Sequence, residues 1–334
     1  MMIQQDISRN CNKTIYFLIA LNIIIVLLNL YSGSVNIPMS DVTDILLGNE
    51  SANKAWNFII LQSRFPAAIT AMLTGAALGV CGLLLQSYFR NPLAGPSILG
   101  ITSGANLAVA IVILSFGLTS GLTLSLSALI GSFVILVILL GLSRIVKDSV
   151  TLLIVGILIS YLTNAIITLL NYYSSADGIQ SLLIWGMGNF NGVGTSELIT
   201  YSILIAFGLI MSIFLIKPLN GWMLGEQYAM NLGINIGHTR LLTLFVTGVL
   251  AAVTTAYCGP ISFIGLSIPH IARMITRTDN HRSLIPYTAL LGALCTSLCL
   301  FISTLPADGR LLPINALTSI FGVPVIIYVL LRKK

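Results

Sequence analysis

Charge is what this chain has least of. Its 16 Lys and Arg and 10 Asp and Glu make up 8% of 334 residues, where soluble domains carry about 25%. A water-facing shell cannot be built from so few charges. With 56% hydrophobic residues and a mean hydropathy of +0.98, a soluble fold would expose apolar surface far beyond tolerable patch sizes. The solvent for most of the chain is therefore lipid. The five cysteines, Cys11, Cys81, Cys258, Cys295 and Cys299, lack paired zinc spacing, and four lie inside apolar runs where a thiol acts as a small hydrophobe. Cys295 and Cys299, four apart, share a helix face and read as packing. His238, His270 and His281 form no local ligand cluster, so no metal site is expected.

Catalytic signatures are missing as well. There is no G-x-x-x-x-G-K-[ST] loop, no H-E-x-x-H and no G-x-S-x-G, so the chain reads as a non-enzyme without bound cofactors. No acidic residue falls within a long apolar run, which speaks against an ion-coupled antiporter relying on an intramembrane carboxylate. The net charge of +6 does not point to nucleic acid. Its basic residues sit in short clusters between uncharged runs, the pattern of membrane topology.

A spanning helix needs about 20 apolar residues, and the uncharged intervals are long. Between Arg90 and Arg144 lie 53 residues without a charge, enough for spans three and four with a turn near 117–121. Others are expected at roughly 15–31, 65–86, 150–173, 198–216, 284–305 and 313–331. The interval 241–272 holds either one long span or two short ones turning at Cys258-Gly259-Pro260. Two spans give ten in total, place both termini in the cytoplasm and split the basic residues 13 inside to 3 outside. One span would give 8 to 8, against the positive-inside tendency. The expected fold is thus an all-α polytopic membrane protein of ten helices, one transmembrane domain over 1–334. Segment 15–31 has the alternative of a signal peptide, but its length favours an uncleaved span. Segment 32–64 reads as an outer loop with a short interfacial helix near 41–49, 174–197 as an outer loop, and 217–240 as the longest inner connection.

Two stretches say more than hydropathy. NPLAGPSILGITSGA (91–105) places Asn91, Pro92 and Pro96 where a helix cannot run, followed by Gly100 and Gly104 on a flat helix face. GPISFIGLSIPHIAR (259–273) contains Gly259, Pro260, Gly265, Pro269, His270 and Arg273, a density of proline and glycine that implies broken helices. On residue types alone, membrane-helix packing and function remain equally open. GPSILGIT (95–102) and GPISFIGLS (259–267) also echo one another faintly.

These stretches resemble the integral-membrane permease family of ABC importers for ferric siderophores, haem and cobalamin. GEQYAMNLG (225–233), RFP (64–66) and LPINALTSIFGVPVIIYVLL (312–331) extend the similarity to nearly the whole chain. The resemblance implies a cobalamin-importer-like permease fold at the cytoplasmic membrane of a prokaryote. It also implies a complex of two permease subunits, identical or paralogous, two cytoplasmic ABC ATPases that use ATP and Mg, and an extracytoplasmic substrate-binding protein.

In such permeases the segment after the sixth span docks the ATPase. Here that places Leu224, Gly225, Glu226, Ala229, Leu232 and Gly233 at the coupling contact, with Trp222, Met223 and Tyr228 as further apolar knobs and Arg240 orienting the dock. An amphipathic loop lying on lipid is the alternative. Arg64 and Arg310 match positions that dock the binding protein, although Ala67 stands where the family has a second arginine, and either could instead be an interfacial snorkel. Ser149 and Val150 align with the cytoplasmic gate. Ser160, Thr163, Asn164, Thr168 and Asn171 put polar groups along the fifth span, some of them toward a central cavity. The function expected is ATP-driven translocation of an iron-siderophore complex, with haem, cobalamin or an ATP-independent carrier as alternatives.

Overall fold

The computed structural model describes residues 2–49, 53–146, 148–306 and 311–332, which among themselves form helices and no strand. The chain opens with α1 (Met2–Tyr31), the short α2 (Met39–Leu46) and α3 (Lys54–Phe58), and a π turn leading into α4 (Phe65–Tyr88). After a short 3-10 turn come α5 (Ile101–Phe116), α6 (Gly121–Ile145), α7 (Ser149–Tyr172) and α8 (Ala176–Gly186). Next are α9 (Thr195–Phe214), α10 (Ile216–Met223), α11 (Glu226–Asn231) and α12 (Ile236–Cys258). Last are α13 (Ile264–Thr276), α14 (His281–Ser303) and α15 (Ile314–Arg332). Among the described residues, seven stretches are long and apolar enough to cross a membrane, and Ile101–Phe116 and Ile314–Val329 are shorter apolar helices. α13 has 13 residues, about 20 Å at 1.5 Å per residue, and cannot cross a 30 Å core alone.

Three expectations need correction. The segment before residue 65 is not a loop, because helix runs unbroken from Lys54 to Tyr88. Asn53 caps its start by accepting from the Ala55 amide. Pro66 would drive its ring into the carbonyl four residues earlier, and the π turn at Ile59–Arg64 widens the backbone there. Segment 174–197 likewise contains α8, capped by Ser175, whose hydroxyl accepts from the Gly178 amide. The helix expected to follow the turn at Cys258-Gly259-Pro260, α13, begins only at Ile264, after a non-helical stretch from Gly259 to Phe263.

α4 forms the centre. It approaches its neighbours through glycines, since lipid offers no hydrophobic drive between helices and close van der Waals packing must supply the attraction. Gly75 lies against Gly292 of α14, and a β-carbon on either would overlap the other's carbonyl. α4 packs on α14 and α13 as α12 packs on α6 and α5; α5 meets α6 and α7 as α13 meets α14 and α15. The halves 65–172 and 236–332 therefore exchange equivalent partners, which gives the faint Gly-Pro echo a structural basis. α1 is held from outside the pair. The Asn22 carboxamide donates to the Leu290 carbonyl at 3.1 Å, and that of Asn29 to Ser297 at 3.0 Å.

Candidate functional site

Arg90, Lys217 and Arg282 stand around the end of α4, the helices α10 and α11 and the start of α14. Here the two motif stretches clasp each other. His270 donates from Nε2 to the Pro92 carbonyl at 2.9 Å. Arg273 donates to Gln86 Oε1 at 2.7 Å, and the Gln86 amide donates to the Leu266 carbonyl at 3.1 Å. Arg273 also pairs with Asp279 at 3.5 Å. Asn91 closes the intervening turn by accepting from the Leu93 amide. Deeper in the bundle Gly265 abuts the Pro96 ring and Gly82 abuts the Gly265 carbonyl.

The remaining signature residues lie apart from this clasp. Gly100, at φ +77°, packs on the Gly156 carbonyl of α7, and Gly104 packs on Gly131 of α6. Gly259, at φ +73°, approaches the Trp185 carbonyl at the opposite end, beside Pro260. Pro269 sits inside α13, buried. Phe263, which starts α13, has φ +65°, a left-handed conformation rarely adopted by a bulky side chain.

The segment expected to dock an ATPase forms two short helices, α10 and α11. α11 is bracketed by Gly225 at φ +124° and Gly233 at φ +77°, conformations open to glycine. Met223, Leu224, Tyr228 and Leu232 are exposed, as is Met230, which the sequence reading did not single out. Glu226 is exposed and borders a cleft of about 340 Å³ shared with Ser143, Arg144 and Arg240. Three neighbours differ from expectation. Trp222 is 4% exposed; its indole donates to the Tyr88 carbonyl at 3.1 Å, and Arg90 reaches its carbonyl. Ala229 is fully buried, so it seats α11 rather than facing outward. Arg240 is buried and donates to the Ser143 and Val146 carbonyls, tying α12 to the end of α6.

Ser149 and Val150 open α7, Val150 exposed and Ser149 half-buried. Asp148 caps this helix, accepting from the Thr151 amide at 2.8 Å and hydroxyl at 2.7 Å. Those bonds favour the carboxylate and hold its pKa below the ordinary value. Along α7, Ser160, Thr163 and Thr168 donate to carbonyls of their own helix, and most of the helix surface is uncovered.

At the opposite end, Arg64 is turned inward. Its guanidinium donates to the carbonyls of Leu30 at 2.9 Å, Tyr31 at 3.2 Å and Val35. The charge is spent on the turn after α1, so this geometry does not offer Arg64 to a partner protein. Arg310 lies outside the described residues.

An all-helical bundle with two broken helices, a clasped pair of Pro/Gly motifs and an apolar two-helix projection defines a multi-pass membrane transport subunit. The chain belongs to the FecCD transport family, whose model matches residues 21–332. It is 35% identical over 275 residues to the vitamin B12 import system permease protein BtuC of Salmonella newport, covering 82% of this chain and 84% of that protein. Its fold superposes with a TM-score of 0.84 on a metal-chelate type ABC transporter in an inward-facing conformation, at 30% identity, over 97% of this chain and all of the other. PsaBC from Streptococcus pneumoniae, in complex with Fab, shares the fold at 20% identity and TM-score 0.54, over 78% of this chain and 90% of the other. The chain is thus an ABC-importer permease of the cytoplasmic membrane, a transport subunit whose family leaves ATP hydrolysis to separate subunits and works with substrate-binding partners.

Proposed function

We propose that this permease carries an iron-siderophore complex inward by alternating access, as one of two permease subunits joined to two ATPases and one binding protein. The similarity to a metal-chelate type transporter over nearly the whole chain carries this reading. ATP and Mg act at the partner ATPases. In this reading the bundle spans the membrane ten times with its basic end in the cytoplasm. Leu224, Gly225, Glu226, Leu232 and Gly233, together with Tyr228 and Met230, meet the ATPase, while Ala229 anchors them from below. The exposed apolar side chains on α11 support this assignment, since an isolated two-turn projection gains little by showing them to water. Ser149 and Val150 stand at the gate, and the uncovered face of α7 meets the second permease. A wall without charged groups suits a cargo that must leave quickly, because tight binding to one state would stall the cycle.

The identity with a vitamin B12 permease favours cobalamin as the second reading of cargo. Both are tested by copurifying the complex and reconstituting it with candidate binding proteins. Ferric siderophore should stimulate ATP hydrolysis and enter the vesicle; stimulation by cobalamin alone would replace the cargo, and stimulation by no iron chelate, haem or cobalamin would overturn the class. Uptake in vesicles lacking any ATPase would establish a secondary carrier instead.

A further inference from the structure

His281 is a buried side chain at a junction of three helices. It starts α14 with no exposed surface. Its Nδ1 lies 2.7 Å from Asn220 Oδ1 on α10, and its Nε2 lies 2.7 Å from Ser87 Oγ near the end of α4. The direction of these bonds can be read from their neighbours. Asn280 Oδ1 accepts the Arg282 backbone N–H and is therefore an oxygen acceptor. It also receives the Asn220 Nδ2 donor at 2.9 Å. Asn220 Oδ1 in turn accepts the His281 backbone N–H at 3.0 Å. With Asn220 fixed from both sides, His281 Nδ1 carries hydrogen and donates. The neutral ring then accepts at Nε2 from the Ser87 hydroxyl.

The next residue on α4, Gln86, holds Arg273 and the Leu266 carbonyl of α13. A continuous polar path therefore runs from α10 through one imidazole to α4 and on to α13. Apolar contacts slide, whereas a hydrogen bond buried away from water cannot break without leaving a polar group unpaired, so this path resists relative movement of α10 and α4.

We propose that His281 is a positioning residue through which displacement of α10 by the ATPase reaches α4 and α13, acting beside the direct Trp222–Tyr88 bond. The inference rests on the reading of 217–240 as the ATPase-coupling segment. Loss of the imidazole leaves α11 able to dock and removes one of its links with the clasped motifs, the Trp222–Tyr88 bond and the Arg90 contact with the Trp222 carbonyl remaining.

The test is hydrogen exchange on the copurified permease-ATPase complex in lipid nanodiscs, comparing the nucleotide-free state with the ATP-vanadate state. In the native chain, trapping should change exchange over 216–231 and over 273–280. His281→Asn retains a donor toward Asn220 and loses Ser87; His281→Gln does the reverse. In both, the change over 216–231 should persist and the change over 273–280 should be reduced. Ser87→Ala, which removes only the hydroxyl, should likewise reduce the second change. A merely structural role would raise basal exchange and leave the ATP-dependent difference in place. A full difference over 273–280 in both His281 variants, or its absence in the native complex, overturns the proposal. No change over 216–231 in the native complex overturns the coupling reading itself.

Discussion

Gly82 of α4 and the Gly265 carbonyl of α13 meet with no room for a β-carbon between them. The obstacle is backbone, which cannot rotate aside as a side chain can. This contact seats the broken helix α13 against the centre of the bundle.

Gly82→Ala should therefore destabilise the chain by about 1–3 kcal/mol, the usual range for overpacking. Gly141→Ala is the control. It sits in α6 with open space around its Cα and should be neutral or slightly stabilising. Thermal unfolding of both variants in the same detergent separates close approach from a general effect of alanine.

Arg64 and Gly33 form a second dependent pair. A β-carbon at Gly33 would lie 2.7–2.9 Å from the guanidinium. Arg64→Ala leaves carbonyls of the turn after α1 without their donor, a loss of about 1–3 kcal/mol where these are buried. Gly33→Ala should reproduce much of it by displacing the same group. Hydrogen exchange at 30–36 should rise in both, and the double variant should cost less than the two losses added together.

Gly225→Val and Glu226→Lys act on the segment proposed to meet the ATPase. The first forces a β-branched residue to φ +124°, a region L-residues avoid. The second reverses charge beside Arg144 and Arg240. Both should leave the protein in the membrane and uncouple ATP hydrolysis from uptake. Native uptake in a well-expressed variant lacking 225–233 would contradict the assignment.

Asp148 gives a pH dependence. Its folded-state pKa is depressed by the two Thr151 bonds, so its stabilising contribution is present above the ordinary carboxylate pKa and is lost as pH falls through the depressed folded value. Exchange at the first turn of α7 should quicken on acidification in the native chain. Asp148→Asn, an uncharged cap, should flatten that response, and Asp148→Ala should give fast exchange at every pH.

Much of the architecture could be read from where charges are absent. The uncharged interval 91–143 does hold α5 and α6, and the Gly-Pro at 259–260 does interrupt a helix. Helix between 54 and 64 was not legible, because Lys54 and Arg64 looked like loop charges. Arg64 escapes that reading through three backbone acceptors that hydropathy cannot see. Trp222 reads as a surface knob in the sequence for the same reason: its burial depends on Tyr88, 134 positions away. Residue types located the clasp, since proline and glycine mark broken helices, yet nothing local linked Pro92 to His270. Ser87 and His281 carried no signal at all, because a single histidine beside a helix start reads as an ordinary cap.

The two asparagine bonds of α1 also fix how that helix can change. Asn22 and Asn29 stand seven residues apart and meet acceptors seven apart on α14, so both belong to one rotational setting. Inserting or deleting a single residue between 22 and 29 would swing one amide by about 100°, out toward hydrocarbon, where no water replaces the lost acceptor. Variation in the length of this first helix should consequently be confined to stretches outside that pair, and chimeras exchanging it will assemble only when the spacing is kept.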